Sequence, residues 1–108
     1  MPVRILIVDD DPDFRRTAAR ALATSGYEIA GEVASAADAR IAMGRLRPDA
    51  VLLDVHLPDG DGRSLAEELG ASHPRVRVLL TSSDDGIAGN GFVTKTELLV
   101  TELEPYLG

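Results

Sequence analysis

The sequence predicts an α/β fold in which helices cover both faces of a parallel sheet. Residues 5–8 and 50–53 are uninterrupted apolar runs of strand length, the pattern of strands that are buried on both faces. Along the rest of the chain, strand-like runs alternate with segments in which apolar residues recur at helical spacing. Such alternation requires right-handed crossover connections, so the strands are expected to run parallel.

The first helix is predicted to follow the first strand after a short acidic turn. Asp11 is placed to cap this helix, and Pro12 suits its first position. The buried stripe of the helix is predicted to consist of Phe14, Ala18, Ala21 and Leu22. Gly26 suits the left-handed conformation just past a helix end, and residues 27–34 form a predicted second strand that Gly31 interrupts.

The second helix is predicted to begin after Ser35, because Ser35 and Asp38 form an abbreviated capping box. Its buried stripe is predicted to consist of Ala39, Ala42, Met43 and Leu46. Pro48 and Asp49 close the helix. The third strand follows at once and ends at Asp54.

Proline and glycine predict a loop after the third strand. Pro58, Gly60 and Gly62 oppose regular structure within residues 55–62 and leave the backbone free to approach a ligand. A short third helix is expected to bury Leu65, Ala66 and Leu69. Residues 76–80 form a predicted fourth strand, which delivers to the sheet edge the hydroxyl groups of Thr81, Ser82 and Ser83.

The last predicted elements are a short fifth strand at residues 92–94, followed by Lys95, and a closing helix. The stripe of that helix is predicted to consist of Leu99, Val100, Leu103, Tyr106 and Leu107. Only nine residues, 83–91, link the fourth and fifth strands, and three of them are glycine. A crossover that contains a helix takes about 10–12 residues, so the fourth helix is expected to be shortened or missing. Either a partner or a homodimer would then cover Val78, Leu80 or Phe92, or phosphorylation would be only weakly coupled to output.

Five strands in the flavodoxin-like order 2-1-3-4-5 would make a doubly wound sheet with strands 1 and 3 side by side. The carboxyl ends of these two strands carry Asp9, Asp10 and Asp54, which would converge where ligands bind in such sheets. Like charges crowded at one edge are unfavourable unless a cation neutralises them. The pattern therefore favours a cation site.

Composition limits the classes of function. At 108 residues, the chain is expected to form a single domain over residues 1–108. With 18 acidic against 11 basic residues and a net charge of −7, no cationic surface for nucleic acid is indicated, so we expect no direct DNA binding. Cysteine is absent, and we find neither a signal peptide nor the run of about 18 apolar residues of a membrane span. A cytoplasmic domain without membrane association is expected.

These motifs resemble the receiver domains of bacterial two-component response regulators. The resemblance includes Val-Asp-Asp at residues 8–10, Leu-Leu-Asp-Val at 52–55, the Leu-Pro-Asp-Gly-Asp-Gly segment at 57–62 and Gly-Phe-Val-Thr-Lys at 91–95. It covers essentially the whole chain. It implies that Asp54 accepts a phosphoryl group from a histidine kinase or a histidine phosphotransfer protein.

The resemblance also implies which residues form the site. Mg²⁺, an ion that prefers oxygen ligands, would be held by Asp9, Asp10, Asp54 and the backbone carbonyl of His56. Lys95 and one hydroxyl would contact the phosphoryl oxygens. The family spacing favours Ser82 as that hydroxyl, with Thr81 as the alternative. Because neighbouring strand residues point to opposite faces, only one of the two should reach the phosphoryl group.

Four further positions bear on the resemblance. Phe92 matches the switch aromatic of the family, although its position also suits a plain core residue. His56 borders the path of attacking water in the family, but a partly exposed loop residue is the simpler interpretation, and His73 is expected to face solvent. Thr96 stands where the family usually has a proline, which departs from the pattern of a rigid turn after Lys95.

The predicted function is phosphorelay signal transduction by a switch that is not itself an enzyme. Because the sequence shows no output domain, the phosphorylated form is expected to act by binding an unknown output protein. The alternative is a receiver-like interaction module that keeps the fold but does not signal by phosphorylation. A Mg²⁺-dependent phosphatase with an aspartate nucleophile is disfavoured, because residue 56 is histidine where such an enzyme would place a second aspartate.

Overall fold

The computed structural model describes residues 2–82 and the backbone of residues 92–94. Its elements are β1 (Arg4–Val8), α1 (Pro12–Thr24), β2 (Glu28–Val33), α2 (Ala36–Leu46), β3 (Ala50–Asp54), β4 (His56–Leu57), β5 (Gly60–Asp61), α3 (Gly62–Ser72), β6 (Arg77–Ser82) and β7 (Phe92–Thr94). Strands β6 and β7 correspond to the fourth and fifth strands of the sequence prediction. In the described part of the chain, no helix is long and apolar enough to cross a membrane.

The main sheet has the strand order β2-β1-β3-β6-β7, with every neighbouring pair parallel. This arrangement confirms the predicted flavodoxin-like α/β class. The pairing of β1 with β3 runs from Ile5 opposite Ala50 to Val8 opposite Leu53. The two central strands therefore end level with each other, and the residues that follow them meet at one edge.

Alternate residues of the central strands enter two apolar clusters, one on each face of the sheet. Ile5 and Ile7 of β1 pack with α1, while Leu6 and Val8 pack with α2 and α3. The α1 side contains Ile5, Ile7, Ala18, Leu22, Ala50, Leu52 and Leu79. The other side contains Leu6, Val8, Ala36, Ala39, Ala42, Met43, Val51, Leu53, Leu57, Leu65 and Leu69. Burial on both faces explains why the strand sequences are continuously apolar.

The predicted helix caps are confirmed. Asp11 accepts hydrogen bonds from the backbone amides of Asp13 and Phe14, and Ser35 accepts one from Asp38. Gly26 has φ +96°, the left-handed value that its position after α1 predicted. At the end of α2 the left-handed residue is Arg47, with φ 48°, which no turn signal in the sequence indicated.

Two local expectations need correction. Residues 55–62 were expected to be irregular, but β4 and β5 pair antiparallel, His56 with Asp61 and Leu57 with Gly60, before α3 begins at Gly62. Each strand contains two residues, too few for any periodicity to be visible in the sequence. The second strand continues through Gly31, which pairs with Leu6, although the register against β1 shifts between Ile29 and Gly31.

Several predictions fall outside the described residues. These are the shortened or missing helix at residues 83–91, Lys95, Thr96 and the closing helix. Phe92 lies in β7, where only the backbone is described, so its role as a switch stays a prediction. The expected homodimer or partner interface over Val78, Leu80 and Phe92 also stays a prediction.

Candidate functional site

Three carboxylates meet at the carboxyl edge of the sheet. Asp9 and Asp10 follow β1 directly, and Asp54 is the last residue of β3. Their candidate ligand oxygens all lie within 4.8 Å of one another. Asp9 and Asp54 are 1% and 4% exposed, whereas Asp10 is open to solvent. The structure thus brings together the three aspartates that the strand order predicted to converge.

Asp9 is held by the two elements beside β1. Its backbone amide donates to the carbonyl of Val33 at 3.0 Å, which extends the pairing with β2 by one residue. Its Oδ1 accepts from the amide of Asp11 at 2.9 Å, and its carbonyl accepts from Nη1 of Arg15 at 2.6 Å. Nε of Arg15 lies 3.6 Å from Oε1 of Glu32, so this guanidinium links α1 to β2 below the site.

Asp54 is positioned by the segment that follows it. The amide of Val55 donates to the carbonyl of Thr81 at 3.0 Å, and the amide of His56 donates to Oδ1 of Asp54 at 3.2 Å. The amide of Gly62 donates to the carbonyl of Val55 at 2.8 Å. A Cβ at Gly62 would overlap the carbonyl oxygen of Asp54 and lie 2.8 Å from Cα of Val55, so the first turn of α3 fits against β3 only without a side chain.

The donor set fits a hard divalent cation. Mg²⁺ prefers oxygen ligands, and it is usually bound by one or two carboxylates with water or substrate oxygens filling the rest of its shell. Two buried carboxylates and a third beside them repel one another in a site of reduced solvent screening. A bound cation would remove that repulsion. His56 presents its backbone next to the cluster, while its side chain is exposed, as the simpler sequence interpretation expected.

Both candidate hydroxyls end β6 next to Asp54. Thr81 is the register partner of Asp54, and Ser82 lies one residue farther along the strand. Both side chains are buried, each with 1% exposure. The choice of Ser82 over Thr81 stays a prediction, and Lys95 lies outside the described residues.

Three contributors to the site were missed by the sequence analysis. Arg15 binds the carbonyl of Asp9 from α1, Gly62 closes against Asp54, and Asp59 connects the segment after Asp54 to α2. The glycine could have been noticed, since a glycine at a helix start beside a sheet often allows close backbone approach. The partners of Arg15 and Asp59 are set by tertiary structure, and no spacing rule reveals them.

His73, which was expected to face solvent, is half-buried at the end of α3. Its Nδ1 is enclosed and has no hydrogen-bond partner among the described residues. The solvent-facing interpretation is therefore wrong. The residue lies at the C-terminal end of α3, where its amide donates to the carbonyl of Leu69 at 2.7 Å, away from the acidic edge.

Comparison with known proteins identifies the same fold. The sequence model of the response regulator receiver domain matches residues 5–97. The solved signal receiver domain of the response regulator NarL from Mycobacterium tuberculosis is 31% identical, with a TM-score of 0.78 over 91% of this chain and 90% of that one. A CheY-like receiver domain from Methylobacillus flagellatus is 26% identical, with a TM-score of 0.81 over 97% and 95% of the two chains.

Curated relatives are longer proteins. A protein-glutamate methylesterase/protein-glutamine glutaminase of Anaeromyxobacter dehalogenans is 42% identical over 90 residues, which is 82% of this chain but 26% of that protein. Response regulator MprA of Mycolicibacterium vanbaalenii is 37% identical over 91 residues, which is 82% of this chain and 38% of that protein. The chain thus spans less than half the length of these relatives.

Proposed function

Because the chain belongs to the response regulator receiver domain family, we propose that it is a phosphorelay switch in which Asp54 accepts a phosphoryl group from a histidine kinase with the help of Mg²⁺. The observation that carries this proposal is the convergence of Asp9, Asp10 and Asp54 within 4.8 Å from two neighbouring strands. Phosphoryl transfer depends on positioning and on charge neutralisation, and this edge offers both a placed carboxylate and a group of oxygen atoms suited to a cation.

The residues that would hold the metal are Asp9, Asp10, Asp54 and the backbone carbonyl of His56. When bound, Mg²⁺ supplies the positive charge that offsets the negative phosphoryl oxygens. The chain itself orients the acceptor, because the amide of His56 donates to Oδ1 of Asp54. Burial of Asp54 also limits the access of water to the acceptor.

In the proposed reaction an oxygen of Asp54 forms a bond to phosphorus as the bond between phosphorus and the histidine nitrogen of the kinase breaks. The imidazole leaves with the electron pair of that bond. The product is an acyl phosphate, which is lost when water attacks it. Lys95 and the hydroxyl of Ser82, or of Thr81, are the proposed contacts of the phosphoryl oxygens.

The output of the switch is proposed to be a change in partner binding. The relatives in which the matching segment is part of a longer protein carry names of different kinds, a methylesterase and a response regulator. A similar segment found within longer proteins of different function supports a role as a regulatory module rather than as a catalyst with its own substrate. The output partner of this protein is proposed to recognise the phosphorylated surface.

The test is incubation with acetyl phosphate and Mg²⁺, followed by intact mass measurement. We expect a gain of one phosphoryl group in the unmodified protein, none in Asp54→Asn, and a slower gain in Asp9→Asn. Asp11→Asn is the matched control, because asparagine caps a helix as well as aspartate and the substitution lies on the same edge. It should label like the unmodified protein.

Labelling that persists in Asp54→Asn at full stoichiometry would disprove the assignment of the acceptor. Absence of labelling in the unmodified protein, with the fold intact, would instead favour the interaction module that does not use phosphate. A rate that does not depend on Mg²⁺ would remove the metal from the proposal while leaving Asp54 in place.

A further inference from the structure

The β4–β5 hairpin, which follows the proposed phosphoacceptor, is fastened at its tip to the start of a different helix. Asp59 lies in the turn between the two short strands. Its Oδ1 accepts from the backbone amide of Ala36 at 2.8 Å, and its Oδ2 accepts from that of Ala37 at 3.0 Å. These alanines are the first two residues of α2, more than 20 positions earlier in the chain.

This contact is distinct from the helix's own cap. Ser35 caps α2 through the amide of Asp38 at 3.1 Å, a donor that Asp59 does not use. The amides of residues 36, 37 and 38, all of which lack partners within the helix, are thus satisfied by two side chains from different segments. The helix N-terminus also favours the negative charge of Asp59. In accord with this, the two amide hydrogen bonds keep the pKa of Asp59 below its ordinary value.

Helix α2 has other attachments, so Asp59 is not needed to keep it on the sheet. Ala39, Ala42 and Met43 bury its inner face. On the outer side, Arg40 binds Glu68 of α3 through two hydrogen bonds of 2.7 and 3.0 Å. Loss of the Asp59 carboxylate should therefore act mainly on the hairpin, which has fewer contacts of its own.

The hairpin in turn sets the backbone beside Asp54. His56, in β4, donates its amide to Oδ1 of Asp54, and its carbonyl is the proposed fourth oxygen of the metal site. The hairpin is held by the buried side chain of Leu57 and by Asp61, which caps α3 through the amide of Arg63 at 2.9 Å. Within the described part of the chain, Asp59 is the only hairpin residue whose side chain hydrogen-bonds to an element outside the β3–α3 segment.

We propose that Asp59 is a positioning residue of the phosphoryl-acceptor site. By tying the hairpin tip to α2, it fixes the direction of the His56 backbone and so the affinity of the site for Mg²⁺ and the rate of phosphoryl acceptance. This inference rests on the proposed function for its consequence. The mechanical link itself, from Asp59 through the hairpin to His56, is independent of that function.

The experiment compares Asp59→Ala, Asp59→Asn and the control Ser35→Ala. Ser35→Ala removes a cap from the same helix end but leaves the hairpin tip attached. For each protein, the rate of phosphorylation by acetyl phosphate is measured as a function of Mg²⁺ concentration. Amide hydrogen exchange is measured in parallel at His56 and Gly62, which report the hairpin, and at Ala36 and Ala37, which report the helix start.

We expect Asp59→Ala to raise the Mg²⁺ concentration at half-maximal rate by about tenfold, the lower end of what loss of a supporting group outside the ligand shell costs a metal site. Exchange at His56 should become faster. Asp59→Asn should restore part of both losses, because its amide oxygen can still accept one of the two hydrogen bonds. Ser35→Ala should change neither the Mg²⁺ dependence nor exchange at His56.

Two results would overturn the proposal. If Ser35→Ala raises the Mg²⁺ concentration at half-maximal rate as much as Asp59→Ala does, the effect comes from loss of helix stability and Asp59 has no positioning role. If exchange at His56 is unchanged in Asp59→Ala, the link does not exist. Should the unmodified protein neither bind Mg²⁺ nor accept a phosphoryl group, the proposed function fails, and the exchange comparison still decides whether Asp59 orders the hairpin.

Discussion

The two connections that border the acidic edge, residues 9–11 after β1 and residues 55–61 after β3, are built in opposite ways. The first is short, and its side-chain contacts are mostly local: Asp9 accepts from Asp11, and Asp11 caps the helix that follows at once. The second forms a hairpin whose side chains reach the apolar cluster and the start of α2. The side chains of residues 9–11 thus bond within their own turn and the start of α1, with Val33 and Arg15 holding only the backbone of Asp9, whereas the hairpin side chains reach distant elements.

This difference separates how the two sides should respond to mutation. In residues 9–11 the two effects are separate. A substitution of Asp9 or Asp10 should alter the charge of the site, and a substitution of Asp11 should alter the stability of α1. A substitution in residues 55–62 should disturb geometry and stability together, since the same backbone touches Asp54, α2 and α3. The predictions below test that contrast in order of decreasing effect.

Gly62→Ala should have the largest effect. Its Cβ would overlap the carbonyl oxygen of Asp54, and that neighbour is backbone of a central strand that cannot move aside. We expect a loss of about 3 kcal/mol or more in the free energy of unfolding, at or above the upper range for overpacking, measured by urea titration. The matched control is Gly60→Ala in the adjoining hairpin, where an added Cβ meets nothing within 4 Å. Equal losses in the two variants would show that close approach at Gly62 is not the cause.

Binding of Mg²⁺ between the residues after β1 and the end of β3 should stabilise the fold. If the ion binds Asp10 after β1 and Asp54 of β3, a hundredfold excess over its dissociation constant should stabilise the fold by about 2.7 kcal/mol. The measurement is the unfolding midpoint with and without Mg²⁺ at constant ionic strength. Asp10→Ala should largely remove the Mg²⁺ effect, and it should stabilise the metal-free protein because it relieves repulsion. An unfolding midpoint that does not change with Mg²⁺ in either protein would contradict a metal site at this edge.

Asp11→Ala should cost about 1 kcal/mol of stability, the usual loss for an N-cap that accepts helix amides. Asp11→Asn keeps the cap and changes only the charge, so the difference between the two variants isolates the cap. Because this connection is local, neither substitution should change the Mg²⁺ dependence of phosphorylation. A change in that dependence as large as the one expected for Asp59→Ala would remove the contrast between the two connections.

The smallest expected effect is a pH dependence at Asp59. Its pKa is lowered in the folded state, first by the amide of Ala36 and then by that of Ala37. A group with a lowered folded pKa contributes stability above its unfolded value, about 3.9, and loses that contribution as the pH falls through the folded pKa. The difference in stability between the unmodified protein and Asp59→Asn should therefore shrink as the pH is lowered from about 6 to about 3. A constant difference would contradict an ionised anchor.

The same contrast explains what could be predicted from sequence. The central strands were evident because residues 5–8 and 50–53 are continuously apolar, and the convergence of Asp9 with Asp54 followed from the strand order. The local caps, Asp11 and Ser35, were found by residue type and spacing. In contrast, Pro58 and Gly60 indicated only a loop, and nothing near Asp59 in the sequence identifies α2 as its partner. Contacts that close over more than 20 residues are decided by the assembled sheet.

Successive side chains of β1 enter the two apolar clusters in turn, so this one strand contributes to the core on both faces of the sheet. Ile5 and Ile7 face α1, and Leu6 and Val8 face α2 and α3. Neither layer can come apart without exposing one face of the same strand, so the two layers are expected to melt as a single cooperative unit. A destabilising substitution in α1 and one in α3 should then lower the midpoint of the same unfolding transition. A partly folded intermediate, with only one helical layer in place, should not be populated.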